Sequence, residues 1–290
     1  MTVLHPRAAY LARLLQGSLP LSVVDVGANP IGSPPSYAGL LQAGFVNLTG
    51  FEPQLDALKA LKDTASDHET YLPYAIGSGE TGELHICRNS GFTSLFKPDP
   101  SSSALLGNQG STRVVDTMPL KTHRLDDLDE VGPIDFLKID VQGSELDAIK
   151  TARRKLADAV LIQTEIRFFP LYDDEPSYGD LEAELAHQGF YLHSFTGIKR
   201  TTQASDYKAR MRKGFYSQLV DADAFFVRDL RGIANMSGEQ VSRLSLLADS
   251  IMDAPDLCLF CLDTLRTRVL VTAEDIAGYE ALLPDKMMRS

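Results

Sequence analysis

Two stretches place charged side chains where a buried strand would meet a loop. The first is Val24-Asp25-Val26-Gly27-Ala28-Asn29-Pro30-Ile31-Gly32, a carboxylate within an apolar run followed by small residues. A carboxylate inside such a strand is costly without a partner. Gly27 and Ala28 let backbone approach a ligand closely. The second stretch runs from Asp135 through Lys138, Asp140, Gln142 and Gly143 to Glu145. Side chains alternate along a strand, so Lys138 and Asp140 point the same way, toward the edge where such sheets bind ligands.

Three ligands compete for the first turn. A dinucleotide fingerprint needs glycine where Asn29 stands, and a phosphate-binding loop needs lysine where Ser33 stands. S-adenosylmethionine asks for less. Asp25 can hold the methionine end, a turn glycine packs beneath it, and Glu52, twenty positions after Gly32, can accept both ribose hydroxyls. Glu52 alone does not separate this ligand from NAD, because both carry a ribose diol.

The elements that must position these groups follow an α/β rhythm. Leu21–Val26 reads as a buried parallel strand, 36–43 as a helix, Phe45–Phe51 as a second strand, 54–62 as a helix and 69–76 as a third strand. This order predicts right-handed crossovers and a parallel sheet. From Gly77 to Asp116 the pattern weakens, with one short strand at 84–87. It resumes with strand 134–139, helix 143–156 with its acidic start, strand 159–166, helix 181–187 and strands 190–195 and 224–227. The expected organisation is an N-terminal helix in 1–20, a main domain over 21–231 with a basic insertion at 199–216, and a helical extension over 232–290. That extension reads as two helices, 240–252 and 274–282, and Leu244, Leu247 and Ile251 form an apolar stripe for a second copy or for the domain's own flank.

Asp25-Val-Gly-Ala-Asn29, Phe51-Glu52-Pro53, the Lys138–Glu145 run, Thr164-Glu165 and Pro170-Leu-Tyr172, in this order, resemble the FkbM-type methyltransferases. The resemblance spans about residues 20–195. The family's turn closes one residue earlier, whereas here Pro30 and Ile31 precede Gly32. The resemblance implies a class I methyltransferase fold: a doubly wound, Rossmann-like, mostly parallel sheet of seven strands, the last antiparallel. It further implies S-adenosylmethionine as cofactor and O-methyl transfer to a hydroxyl, often on a sugar, glycan or natural product. The expected cofactor set is Asp25, Gly27, Ala28, Asn29, Glu52, Pro53, Ala75, Ile76 and Asp140.

A hydroxyl acceptor needs a base or a cation that stabilises the alkoxide. Asp140 and Glu165 end neighbouring strands and are the expected ligands of one Mg²⁺ ion, whose preference is for oxygen donors. Without a metal, Glu165, Asp140 or His193 is the candidate base, Lys138 completes the catalytic set, and Arg167 and Tyr172 border the acceptor. The insertion carries Lys199, Arg200, Lys208, Arg210, Arg212 and Lys213 with Asp206 its only acid, which suits a lid over an anionic acceptor.

Composition excludes other classes. A net charge of −11 argues against general binding of nucleic acid. Cys258 and Cys261 lack a second ligand pair for a metal and read as small buried residues on a helix. No stretch reaches the ~20 apolar residues that span a bilayer, and no secretory signal is recognisable, so the expected location is the cytoplasm. An NAD(P)-dependent oxidoreductase and a non-catalytic assembly module remain the competing functions.

Overall fold

A computed structural model describes residues 4–29 and 34–287. The turn residues Pro30, Ile31 and Gly32 therefore lie outside the described residues. The chain runs α1 (Pro6–Leu14), β1 (Leu21–Val26), α2 (Ala38–Gln42), β2 (Val46–Phe51), α3 (Leu55–Thr64), β3 (Glu69–Leu72), β4 (Ala75–Ile76) and β5 (Thr81–Cys87). Next come α4 (Pro100–Leu106), α5 (Gln109–Thr112), β6 (Val114–His123), β7 (Phe136–Ile139), α6 (Glu145–Lys150), β8 (Leu161–Arg167) and α7 (Tyr178–His187). The long strands β9 (Phe190–Thr201) and β10 (Gln218–Arg228) precede α8 (Gly238–Ser250), α9 (Pro255–Thr267) and α10 (Ala273–Glu280).

Seven strands form one sheet in the order β3-β2-β1-β7-β8-β10-β9, and β10 alone runs opposite to the other six. This is the class I methyltransferase topology, a Rossmann-like α/β fold. The order reverses between β1 and β7, so the carboxyl ends of those two strands open the crevice where such sheets bind ligands. Asp25 and Lys138 are register partners there.

The alternating strand residues feed two cores. Leu21, Val23 and Phe136 pack with α1, α2, α3 and the C-terminal helices, while Val24, Val26, Leu137 and Ile139 pack with α6 and α7. The extension is thus part of the main core. Leu244 and Leu247 are fully buried in it and Ile251 packs against it, so the expected apolar stripe is consumed within the chain. Arg7 on α1 clamps this corner by donating to Asp249 at 2.7 Å, and the Tyr279 hydroxyl donates to the same carboxylate.

Several elements differ from the sequence reading. The third strand splits, and β4 joins β6 and β5 in a separate small sheet. The extension holds three helices, because α9 fills the gap with Leu257, Cys258, Cys261, Leu262 and Leu265 facing inward. Both cysteines are free and buried. Strands β9 and β10 outrun their expected lengths, so Lys199 and Arg200 sit on a strand and only 202–217 forms the connection.

Candidate active site

Gly27 turns the chain out of β1 with φ +86°. Its amide and that of Ala28 both donate to the Phe51 carbonyl, tying the turn to the end of β2. An added Cβ at Gly27 would lie 2.1 Å from the Asp140 carbonyl oxygen, so this glycine permits the contact between the ends of β1 and β7.

Two cavities flank this turn, and Gly27, Asn29 and Asp140 line both. The smaller, about 170 Å³, is bordered by Glu52, Pro53, Ala75 and Ile76. Glu52 is 2% exposed and one carboxylate oxygen accepts from the Gln54 amide at 2.7 Å. Burial raises its pKa above the ordinary carboxylate value. The larger cavity, about 1000 Å³, is bordered among the described residues by Asp25, Tyr37, Lys138, Gln163 and Asp223. Asp25 has found its partners: the Lys138 ammonium at 2.9 Å and the Tyr37 hydroxyl at 2.6 Å. Burial works against the Lys138 charge, but Asp25, with Asp140 and Asp223, outweighs it and the ammonium pKa rises. Lys138 thus serves to hold Asp25.

A third cavity of about 350 Å³ lies beyond Gln142 and Glu165 and is bordered by Arg167, Lys199, Arg200 and Lys208. The Gln142 side-chain amide donates to Asp140 at 2.8 Å and to Glu165 at 3.1 Å, joining the two carboxylates. Gln142 holds φ +54°, an unusual conformation for a residue with a side chain. Glu145 fixes this loop by accepting the Val141 and Gly143 amides on its two oxygens. The buried Arg167 guanidinium pairs with Glu165 at 2.8 Å, Asp221 at 3.2 Å and Glu175 at 3.5 Å. Lys199 adds contacts to Glu165 and Asp221. Burial, reinforced by Asp140, Glu145 and Asp221 against the pull of Arg167, pushes the Glu165 carboxyl up to about 8.

The structure therefore brings together every expected cofactor residue, with Asp140 and Glu165 nearby. It leaves His193 outside. Leu192 pairs with Phe226 and Ser194 with Phe225, so His193 is the extra residue of a β-bulge on the edge strand, exposed, with Nδ1 3.3 Å from the Ser194 hydroxyl. Sequence reasoning missed Tyr37, Gln142 as the bridge between carboxylates, and the Glu175 and Asp221 partners of Arg167.

The donor set does not fit the expected Mg²⁺. Asp140, Glu145 and Glu165 offer oxygens within 4.8 Å of one another. Yet both Glu145 oxygens bind backbone amides, and the two Glu165 oxygens already accept from Arg167 and Lys199. A divalent ion would have to displace two built-in cations and gain little attraction for it. Prolonged treatment with a chelator is expected to leave methyl transfer unchanged, and activity lost to chelation and restored by Mg²⁺ would contradict this.

Residues 25–192 match the family described as the methyltransferase FkbM domain. The chain belongs to this family. It is an S-adenosylmethionine-dependent methyltransferase, and its Asp25, Glu52, Asp140 and Glu165 all fall within the matched span. No curated protein matches it. Among solved structures, magnesium protoporphyrin IX methyltransferase from Synechocystis PCC 6803 is 14% identical, with 77% of this chain and 78% of that one covered and a TM-score of 0.35. A putative methyltransferase from Thermoplasma acidophilum is 12% identical, with coverage of 73% and 69% and a TM-score of 0.37. A TehB-like enzyme from Corynebacterium glutamicum is 11% identical, with coverage of 76% and 88% and a TM-score of 0.35. Among the described residues, no helix of this FkbM-domain protein is long and apolar enough to cross a membrane.

Proposed function

We propose that this FkbM-family enzyme methylates a hydroxyl of a sugar, glycan or natural-product acceptor that carries an anionic group. The observation that carries the reading is the meeting of two cavities at Gly27, Asn29 and Asp140, with a third joined to them by the Asp140–Gln142–Glu165 chain. When bound, S-adenosylmethionine supplies an electrophilic methyl group. Glu52 accepts the ribose hydroxyls in the smaller cavity, and Pro53, Ala75 and Ile76 wall the adenosine. Asp25, held by Lys138 and Tyr37, presents a fixed negative field to the methionine amine. The acceptor enters the third cavity with its hydroxyl toward Glu165, which takes the proton. Arg200, at the rim, meets the anionic group. Such alignment of two reactants supplies roughly 7–11 kcal/mol in favourable cases.

Glu52→Ala tests the cofactor half of this reading. Charge-assisted hydrogen bonds of about 1.5–3 kcal/mol predict a Kd for S-adenosylmethionine raised roughly 10- to 150-fold in calorimetry. NAD should give no heat with the parent protein. An unchanged Kd in the variant would remove Glu52 from the site. If the cofactor binds but no acceptor in a panel of acidic and neutral glycans and natural-product alcohols is methylated, the acceptor half of this reading fails.

A further inference from the structure

The connection between β9 and β10 borders the third cavity through Lys208, but its exposed tip faces none of the three cavities. Tyr207, Met211 and Phe215 are 65%, 47% and 74% exposed, an unusual display for large apolar side chains in so short a segment. Lys208, Arg210, Arg212 and Lys213 alternate with them, and Asp206 is the only nearby acid in the segment. The base of the segment is fastened to the end of α4: the Ala204 amide donates to the Leu105 carbonyl at 2.6 Å and Lys208 donates to the Leu106 carbonyl at 2.7 Å. Leu105 is itself 45% exposed beside this anchor. Arg210 lies over the Tyr207 ring, 5.4 Å from its centroid. The apolar tips thus project from a fixed base.

We propose that this segment seats the enzyme on an anionic lipid bilayer, with Tyr207, Met211 and Phe215 at the headgroup–acyl boundary and the exposed Arg210, Arg212 and Lys213 on lipid phosphates. Interleaved aromatic and basic side chains have this affinity because apolar burial and charge attraction act on the same face. The chain's net charge of −11 does not forbid it, since charges farther than about 8–10 Å from the surface are screened at physiological salt. A bilayer also needs to touch only a projecting tip, whereas a nucleic acid strand needs a continuous basic path. Met211 suits acyl chains and offers no stacking face.

The full-length protein is sedimented with vesicles of phosphatidylcholine alone or with about 30% phosphatidylglycerol, at low and high salt. Binding is expected only to the anionic vesicles and to weaken with salt. At about a fivefold loss per cation, Arg210→Ala with Arg212→Ala lowers the partition roughly 30-fold. Tyr207→Ala with Phe215→Ala lowers it about tenfold or more while leaving the salt dependence intact. These exposed sites leave thermal unfolding unchanged, which separates lost docking from lost folding. Failure of the parent to bind anionic vesicles, tighter binding to an oligonucleotide than to vesicles, or indifference to the aromatic substitutions would each overturn the proposal. None of these readouts involves methyl transfer, so such a failure leaves the proposed reaction standing.

Discussion

Glu165→Gln is expected to lower the turnover of methyl transfer by about 10²–10⁴-fold, the usual worth of a positioned base. The variant keeps the side-chain volume and the hydrogen bonds to Gln142 and Arg167, so cofactor affinity should be nearly unchanged. A pH profile sharpens the test. Burial pushes the Glu165 carboxyl up to about 8, so at pH 6 it is mostly protonated and unable to accept a proton. As pH rises through 8 the ionised fraction grows, and kcat/KM of the parent should climb with it and level off above. Glu165→Gln should flatten this limb. A parent profile that is level between pH 6 and 9, or a variant with parental turnover, assigns the base elsewhere; Asp140, exposed at the end of β7, is then next in line.

The sequence displays the cofactor half of the site more clearly than the acceptor half, and the reason is physical. Asp25, Glu52 and Asp140 each end a short apolar strand, so hydrophobic pattern and chemistry mark the same residues. Arg167 is different. Its partners Glu175 and Asp221 come from a loop and from β10, and Asp221 is 54 residues away. Nothing local announces that pairing. Strand β6 was illegible because most of Val114–His123 is exposed, which erases the alternation that a half-buried strand would show. Strand β9 was read too short because its pairing slips at His193 and again before Lys199, breaking the two-residue period. That second slip sets Lys199 opposite Asp221, where it reaches both Asp221 and Glu165. Helix α9 was read only at its two cysteines and not as a third element of the extension, although Leu257, Cys258, Cys261, Leu262 and Leu265 keep helical spacing along Pro255–Thr267. The start of α7 was available in the Ser177–Asp180 capping box and went unused.

Gly27→Ala should damage fold and site together, because one atom joins them. The new Cβ would meet the Asp140 carbonyl at 2.1 Å, a backbone atom that no rotamer change can move aside. The residue would also have to keep φ +86°, which a side chain resists. Backbone strain of about 1–3 kcal/mol and overpacking of about 1–3 kcal/mol predict a loss of roughly 2–6 kcal/mol. For a chain of 290 residues that lowers Tm by roughly 3–10 °C. Any relaxation that avoids the clash must part β1 from β7, where the Asp140 amide donates to the Val26 carbonyl at 3.0 Å. Asp140 and Asn29 would move with it, and both cavities at the sheet edge depend on their positions. Affinity for S-adenosylmethionine should therefore fall even in the fraction that remains folded. Serine at position 27 carries the same Cβ and should fail in the same way. If Gly27→Ala retained parental Tm and cofactor affinity, the close contact between the two strand ends would not be what shapes this pocket.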